Sequence, residues 1–501
     1  MKFFDINHNR SLVVGTVEGA LQFRQTNVYP AIRKATAIYL MFCIFYVMFS
    51  DFHGSEPALS IIHVGSAISL IVFWKSIYWG EGRYDTFGAA LLLLYAFLKL
   101  HAALDTLFYG NRFDEIYHTV PLPENLVWLF LKSETLNHIG ILMLVAVWLR
   151  TVGNKLPQFS FLNNHHQVGR HLPIVIYVSA IVIELARRVA GEEFGVLTQM
   201  TFLTYQFGVV AIFFIASAQG GRYRHIMLAL LLAVPMVILA FGTGMKSEML
   251  FPLVPAVLIA WFRFDSISLK VAAVVMGFIL LAYAQMYVQY VREVSWADRG
   301  TSGQSSSTSA ELVDGFQTAF KTLTLREGLN AISSRINMTT SRGITVAIAD
   351  ARGYEPYNIF APVLSSLIPR FLWSGKPVLQ PGAEHTLRIH NLNWSASEAW
   401  SATAAGFFSE LYLGGGWFGW LFGVVLYATL LGRLQLFTLR MVPGFGHLAL
   451  SFLTVYWALR FEEKHIVYAY TSMIFTFVFI ALIAKSAAML QGRRRRLWIS
   501  R

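Results

Sequence analysis

Residues 86–108 read TFGAALLLLYAFLKLHAALDTLF. An apolar block of this length crosses ~30 Å of hydrocarbon as an α-helix rising 1.5 Å per residue, far longer than a transmembrane strand requires. Similar blocks recur at 35–52, 57–79, 126–149, 172–190, 197–218, 225–242, 248–262 and 269–290, and then at 404–432, 446–460 and 467–489. In lipid each segment must satisfy its own backbone hydrogen bonds, so the predicted class is all-α, a polytopic integral membrane protein of about twelve spans. Composition agrees. The chain is 55% hydrophobic and 14% charged, whereas soluble domains carry about 25% charged residues.

The polar N-terminus lacks the unbroken apolar core of a signal peptide and is expected to be retained. Cys43 is the one cysteine and falls inside the first block, which leaves no disulfide framework and no cysteine metal site. The net charge of +12 follows the positive-inside rule rather than pointing to nucleic acid. Arg33, Lys34, Lys75, Arg83, Arg150, Lys155, Arg170, Arg222, Arg224, Arg263, Lys270, Arg433 and Arg440 fall on one predicted side, with Arg493 to Arg496 in the tail. Both termini are therefore predicted to be cytoplasmic. The expected divisions are an N-terminal transmembrane bundle (1–290), a large outer loop (291–403), C-terminal transmembrane helices (404–490) and a basic cytoplasmic tail (491–501). The loop opens with a serine-rich stretch too polar to pack, 300–309. An amphipathic helix is expected over 311–338, and 358–376 is apolar but short and broken by proline, suited to the interface or to re-entry.

A charged side chain inside a span costs roughly 2.5–3.5 kcal/mol, so each calls for a partner or a function. Lys99, His101 and Asp105 fall in the third span and Lys132, Glu134 and His138 in the fourth, where interhelical pairing is the first expectation. Glu184, Arg187 and Arg188 at the end of the fifth span read as snorkelling groups. Gly242-Thr-Gly-Met-Lys246 breaks an apolar run at the outer face, and a glycine turn there lets backbone N–H groups and a cation approach an anion together.

The outer loop interleaves Arg342, Arg352, Arg370, Lys376 and Arg388 with Glu384, His385, His390 and Glu398, and with Tyr354, Tyr357, Trp373, Trp394 and Trp400. Cations near a bilayer surface suit phosphate, and aromatic rings beside carboxylates suit sugars. No Asp-x-Asp on the outer face, GxxxxGK[ST], HExxH or Cys/His cluster is present. Metal-dependent transfer, ATP-driven transport and zinc proteolysis thus lack their usual motifs.

Three stretches resemble the bacterial polysaccharide repeat-unit polymerases, the Wzy type that makes O-antigen, enterobacterial common antigen and exopolysaccharides. The first is the turn Phe241-Gly-Thr-Gly-Met-Lys246, with lysine where the family often has arginine. The second, Leu367-Ile-Pro-Arg370-Phe-Leu-Trp373-Ser-Gly-Lys376-Pro377, is similar to Pro-x-x-Leu-Trp-Pro-Gly-Arg/Lys-Pro, with Ser374 in place of proline. The third is the glycine-rich re-entry into the membrane, Ala402-Thr-Ala-Ala-Gly406-Phe-Phe-Ser-Glu410-Leu-Tyr-Leu-Gly-Gly-Gly416. Arg342 and Gly353 also match an Arg-x10-Gly spacing.

The resemblance implies a GT-C-like glycosyltransferase of the bacterial inner membrane, acting on its periplasmic face without metal or cofactor. Donor and acceptor would be undecaprenyl-diphosphate-linked glycans, with a chain-length regulator protein as a further partner. It further implies that Lys246, Arg342, Arg370, Lys376 and Arg388 bind the diphosphate. Glu384, His385 or Glu398 would take the acceptor proton, Glu410 would join that set or order the cations, and Tyr354, Trp373, Trp394 and Trp400 would contact sugar. An O-antigen-ligase-like transferase and a lipid-linked oligosaccharide flippase remain the alternatives.

Overall fold

The computed structural model describes residues 12–53, 55–78, 87–109, 126–152, 171–190, 198–217, 222–241, 251–253, 255–256, 268, 339–368, 373, 375–376, 381–389, 405–441, 465–475 and 477–478. Every regular element among them is helical. In chain order these are α1 (Leu12–His53), α2 (Ser55–Tyr78), α3 (Phe87–Tyr109), α4 (Leu126–Val152), α5 (His171–Ala190), α6 (Thr198–Ser217), α7 (Arg222–Phe241), α8 (Thr339–Arg352), α9 (Pro356–Leu367), α10 (Pro381–Ile389) and α11 (Phe407–Met441). The last is α12 (Ile466–Phe475).

Five of the described helices are long and apolar enough to cross a membrane, through Val28–Ser50, Ala58–Tyr78, Phe87–Leu107, Leu126–Val152 and Phe407–Phe437. Their outward faces carry side chains that water would not tolerate in such number. Leu40, Ile44 and Met48 of α1 and Phe418 and Phe422 of α11 are all more than half exposed, as befits a surface solvated by lipid. The predicted spans at 57–79, 86–108 and 126–149 coincide with α2, α3 and α4 to within three residues. The first predicted span is part of a longer helix that begins at Leu12. Those at 172–190, 197–218 and 225–242 are α5, α6 and α7. The spans at 269–290 and 446–460 and the amphipathic segment 311–338 lie outside the described residues, and 248–262 is described only in part.

α4 is the hub, touching α1, α2, α3, α8 and α11. Small residues allow the close approaches that membrane helices need in place of a hydrophobic driving force: Gly65 lies under Phe42, and Gly140 of α4 lies under Phe408. Polar contacts add register. Tyr39 of α1 stacks on His138 of α4 with ring centroids 4.0 Å apart. Ser69 donates its one proton to the Ala35 carbonyl at 2.7 Å, so at 3.0 Å it accepts from His138 Nε2. Nδ1 is then left to accept from Ser66 at 2.6 Å. Both ring nitrogens of His138 are thereby engaged, and it serves as a packing residue.

The decisive departure from the sequence reading is in α11, predicted as one uninterrupted span over 404–432. Gly415 (φ −174°) and Gly416 (φ 60°, ψ −150°) are not helical. In a straight helix Phe407 and Tyr427 would sit ~30 Å apart along the axis, yet their ring centroids are 5.1 Å apart. Leu411 packs onto Gly423, and a Cβ on Gly419 would lie 3.1 Å from the Leu411 carbonyl oxygen. The chain therefore climbs through 407–414, reverses at Gly415–Gly416 and descends through 417–441. The 417–437 portion retains the ~20 residues a crossing needs. The ascending limb starts beside Tyr427, ten residues down the descending one and so ~15 Å below the turn.

Gly416→Ala should lower the melting temperature of the detergent-solubilised protein. It forces alanine into a left-handed conformation costing about 1–3 kcal/mol and places a Cβ 2.7 Å from Tyr354 Cζ. Gly415→Ala, with extended φ and nothing within 4 Å of the new Cβ, should leave it unchanged.

Candidate functional site

Glu134, in the outer half of α4 by the predicted orientation, is wholly buried and bonded from two sides. Lys99 Nζ of α3 donates to Oε2, and Arg342 Nη2 of α8 donates to Oε1 at 2.6 Å. His63 Nδ1 of α2 stands 3.7 Å from Oε2. Arg342 Nη2 also donates to Thr339 Oγ1 at 3.2 Å, and Thr339 meets His63 Nε2 at 3.4 Å. The expected interhelical pairing of the third and fourth spans is present, with Glu134 of α4 as the partner of Lys99 of α3. Arg342, expected in the outer loop, is instead buried and pins α8 to the bundle.

α8 runs beside the ascending limb of α11. The Arg342 stem lies against Gly406, where a Cβ would be 2.9 Å from its Cγ; Gly406 holds φ +80°, a conformation that favours glycine. One turn on, Thr345 donates to the Ser341 carbonyl at 2.8 Å and so accepts from His385 Nε2 at 3.2 Å. His385, from α10, is 1% exposed, and its Nδ1 has no hydrogen-bond partner among the described residues. It faces His465 edge-on, ring centroids 6.1 Å apart. His465 Nδ1 lies 3.2 Å from Glu410 Oε1, and the Ile466 backbone N–H donates to Glu410 Oε2 at 2.6 Å. A carboxylate from the ascending limb therefore caps the N-terminus of α12, where the helix dipole favours negative charge.

Arg342 and Thr345 lie against Gly406 and Ala405, non-helical backbone at the foot of the ascending limb. Such backbone is tolerated only where protein or a wet cavity covers it, and in broken-helix membrane proteins it marks the working site. Chemically the arrangement offers buried cations, a carboxylate and an imidazole nitrogen able to accept a proton. Among the described residues no three His, Cys, Asp or Glu are grouped to hold a metal.

Of the residues expected at the site, Arg342, His385 and Glu410 converge here, and Glu384 is half-buried in the first turn of α10. Arg388 meets Glu355 at 3.3 Å. Lys376 donates to the carbonyls of Ser366 at 3.1 Å and Ile368 at 2.8 Å, so its ammonium caps the C-terminus of α9. That helix accounts for the apolar stretch expected to re-enter or lie in the interface. Tyr354 and Trp373 are exposed. Lys246, Arg370, Glu398, Trp394 and Trp400 lie outside the described residues. Glu184, expected to snorkel, is buried. Thr345 and His465 carry no signal in the sequence; His465 follows Lys464 in a polar stretch, and nothing but folding brings it to Glu410.

Residues 104–490 match the model of a family described as a domain of unknown function, DUF8712. The chain belongs to that family. Glu134, Arg342, His385, Glu410 and His465 fall within the DUF8712 match, and His63 and Lys99 precede it. No curated protein and no solved structure matches the chain.

Two outcomes follow from the charges. Glu134→Leu strands two cations in the interior and should cost about 3–5 kcal/mol, read as loss of folded protein in the membrane fraction. Adding Lys99→Met and Arg342→Met should restore it. Burial, reinforced by His465 and Arg388, holds the His385 imidazole well below the ordinary histidine range. Below about pH 6.5 the unfolded chain takes up a proton that the native site refuses, so stability should fall as pH drops through that value. His385→Gln should flatten the slope of melting temperature against pH between 7.5 and 5.5.

Proposed function

We propose that the chain is a membrane glycosyltransferase that polymerises undecaprenyl-diphosphate-linked repeat units, passing the growing glycan as a block to a new lipid-linked unit. What supports this reading is the gathering of Arg342, which carries the Arg-x10-Gly spacing, Glu410, from the glycine-rich stretch 402–416, and His385 of α10 about the broken backbone at Ala405 and Gly406. In this reading about twelve spans place both termini in the cytoplasm and the site on the periplasmic side of a bacterial inner membrane.

The acceptor hydroxyl attacks the donor's anomeric carbon as the bond to the lipid diphosphate breaks, and its proton passes to a base. Glu384, His385 and Glu398 are the candidates: His385 Nδ1 has no partner among the described residues while Thr345 holds the opposite nitrogen, and the negative charge of a bound diphosphate would raise the basicity that burial lowers. Negative charge grows on the leaving diphosphate, and fixed cations stabilise it better than water can. Arg342 and Arg388 are the described cations nearest this role, with Lys246 and Arg370 completing the set. Lys376 serves them indirectly by fixing the end of α9. No metal is required by this scheme.

The intramembrane Lys99–Glu134–Arg342 group beside broken helices also fits a transporter of lipid-linked oligosaccharide. Incubating purified protein with a synthetic undecaprenyl-diphosphate repeat unit in EDTA, and resolving products by gel and mass spectrometry, separates the two. A ladder of repeats is expected, with turnover falling about 10²-fold in His385→Asn. Unchanged substrate, presented as an authentic repeat unit, would transfer the assignment to ligation or transport.

A further inference from the structure

Beyond the buried site, where the limbs of α11 meet, lies a second, partly exposed cluster. Lys132 Nζ of α4 donates to both oxygens of Asp350, at 2.7 Å and 2.8 Å, and Tyr412 donates its phenol proton to Asp350 Oδ1 at 2.9 Å. Lys132 Nζ also stands 4.6 Å from the centroid of the Tyr412 ring. Two further rings are set edge-on to Tyr412, with centroids 5.7 Å away in each case: Tyr354 at 88° and Trp417 at 77°. Tyr354 is 52% exposed and Trp417 50%, and the side chains of Lys132 and Asp350 are 27% and 41% exposed.

We propose that this cluster is a glycan subsite that takes one pyranose ring of the lipid-linked oligosaccharide. The proposal rests on the transferase reading and adds to it the place where sugar, rather than phosphate, is held. A pyranose presents C–H groups on its faces and hydroxyl pairs at its edge. Tyr354 and Trp417 offer apolar ring surface for the first. Asp350 Oδ2 takes one donor among the described residues and keeps acceptor capacity for a hydroxyl, while Lys132 retains a third N–H for its neighbour.

The rings are fixed before any ligand arrives. The Glu355 backbone N–H donates to the Leu413 carbonyl at 2.8 Å, tying the chain beside Tyr354 to the α11 turn. The phenol end of Tyr354 rests on Gly416, where any Cβ would collide with it. Preorganisation of this kind reduces the entropy lost on binding. Aromatic residues that only mark the bilayer boundary need no hydrogen-bonded carboxylate beneath them. Here the carboxylate, the lysine and three rings form one connected set.

The test is saturation-transfer NMR on the full chain in lipid nanodiscs, with the delipidated, phosphate-free oligosaccharide of the repeat unit as probe. Transfer to ring protons of one sugar is expected in the wild type. It should be lost in Tyr354→Ala and Asp350→Asn, retained in Tyr354→Phe and retained in Tyr357→Ala, a neighbouring exposed tyrosine outside the cluster. In the turnover assay Tyr354→Ala should raise the KM for the acceptor about tenfold, the weight of one aromatic contact, with kcat little changed and melting temperature unaltered. Absent transfer in the wild type, or transfer and KM indifferent to Tyr354→Ala, overturns the subsite even if a ladder of repeats still forms. Specific transfer without a ladder upholds the subsite and removes the polymerase reading alone.

Discussion

The carboxylate of Glu134 fixes how α3, α4 and α8 meet. Buried between Lys99 and Arg342, it couples α3 to α4 within the N-terminal helices and α4 to α8 more than two hundred residues later. An ion in hydrocarbon has no cheap alternative to its partner, so such a contact fixes which helix meets which, and at what height. Leucine faces alone would not, because lipid tails are as apolar as the helices they surround.

Once α8 is held at that depth, the rest of the site follows. Arg342 lies against Gly406, Thr345 meets His385, and the ascending limb of α11 is confined between α8 and its own descending limb. Glu410 then meets the first N–H of α12. The protein thereby keeps the irregular backbone at Ala405 and Gly406 buried beneath its own helices, and the polar groups that cover it are those able to do chemistry. Above this level the character changes. Around Tyr412 the cations and carboxylates are half exposed and share space with aromatic rings, a surface suited to a hydrated and bulky ligand.

The class of fold, all-α and membrane-embedded, is legible in residues 86–108 and their counterparts, because segment length and apolarity are local properties that hydrocarbon thickness reads directly. The cost of an intramembrane charge likewise singles out Lys99 and Glu134, whereas the reversal at Gly415 and Gly416 is hidden inside a stretch, 404–432, that reads as one span. His385, Glu410 and Arg342 are legible as chemically competent residues near that stretch. What each one touches is not.

Residue types and hydropathy along the chain therefore determine that there are membrane helices, where α2 to α7 begin and end, and which side chains are too costly to be idle. Only tertiary structure decides that α11 is a hairpin limb and a span, that Arg342 is an internal counter-ion, that Lys376 caps a helix, and that His465 joins Glu410. The reason is physical. Hydropathy is summed over one segment, whereas an ion pair, a cap or a reversal at two glycines depends on where a second segment stands, and in lipid that is settled by a few polar contacts between residues far apart in the chain.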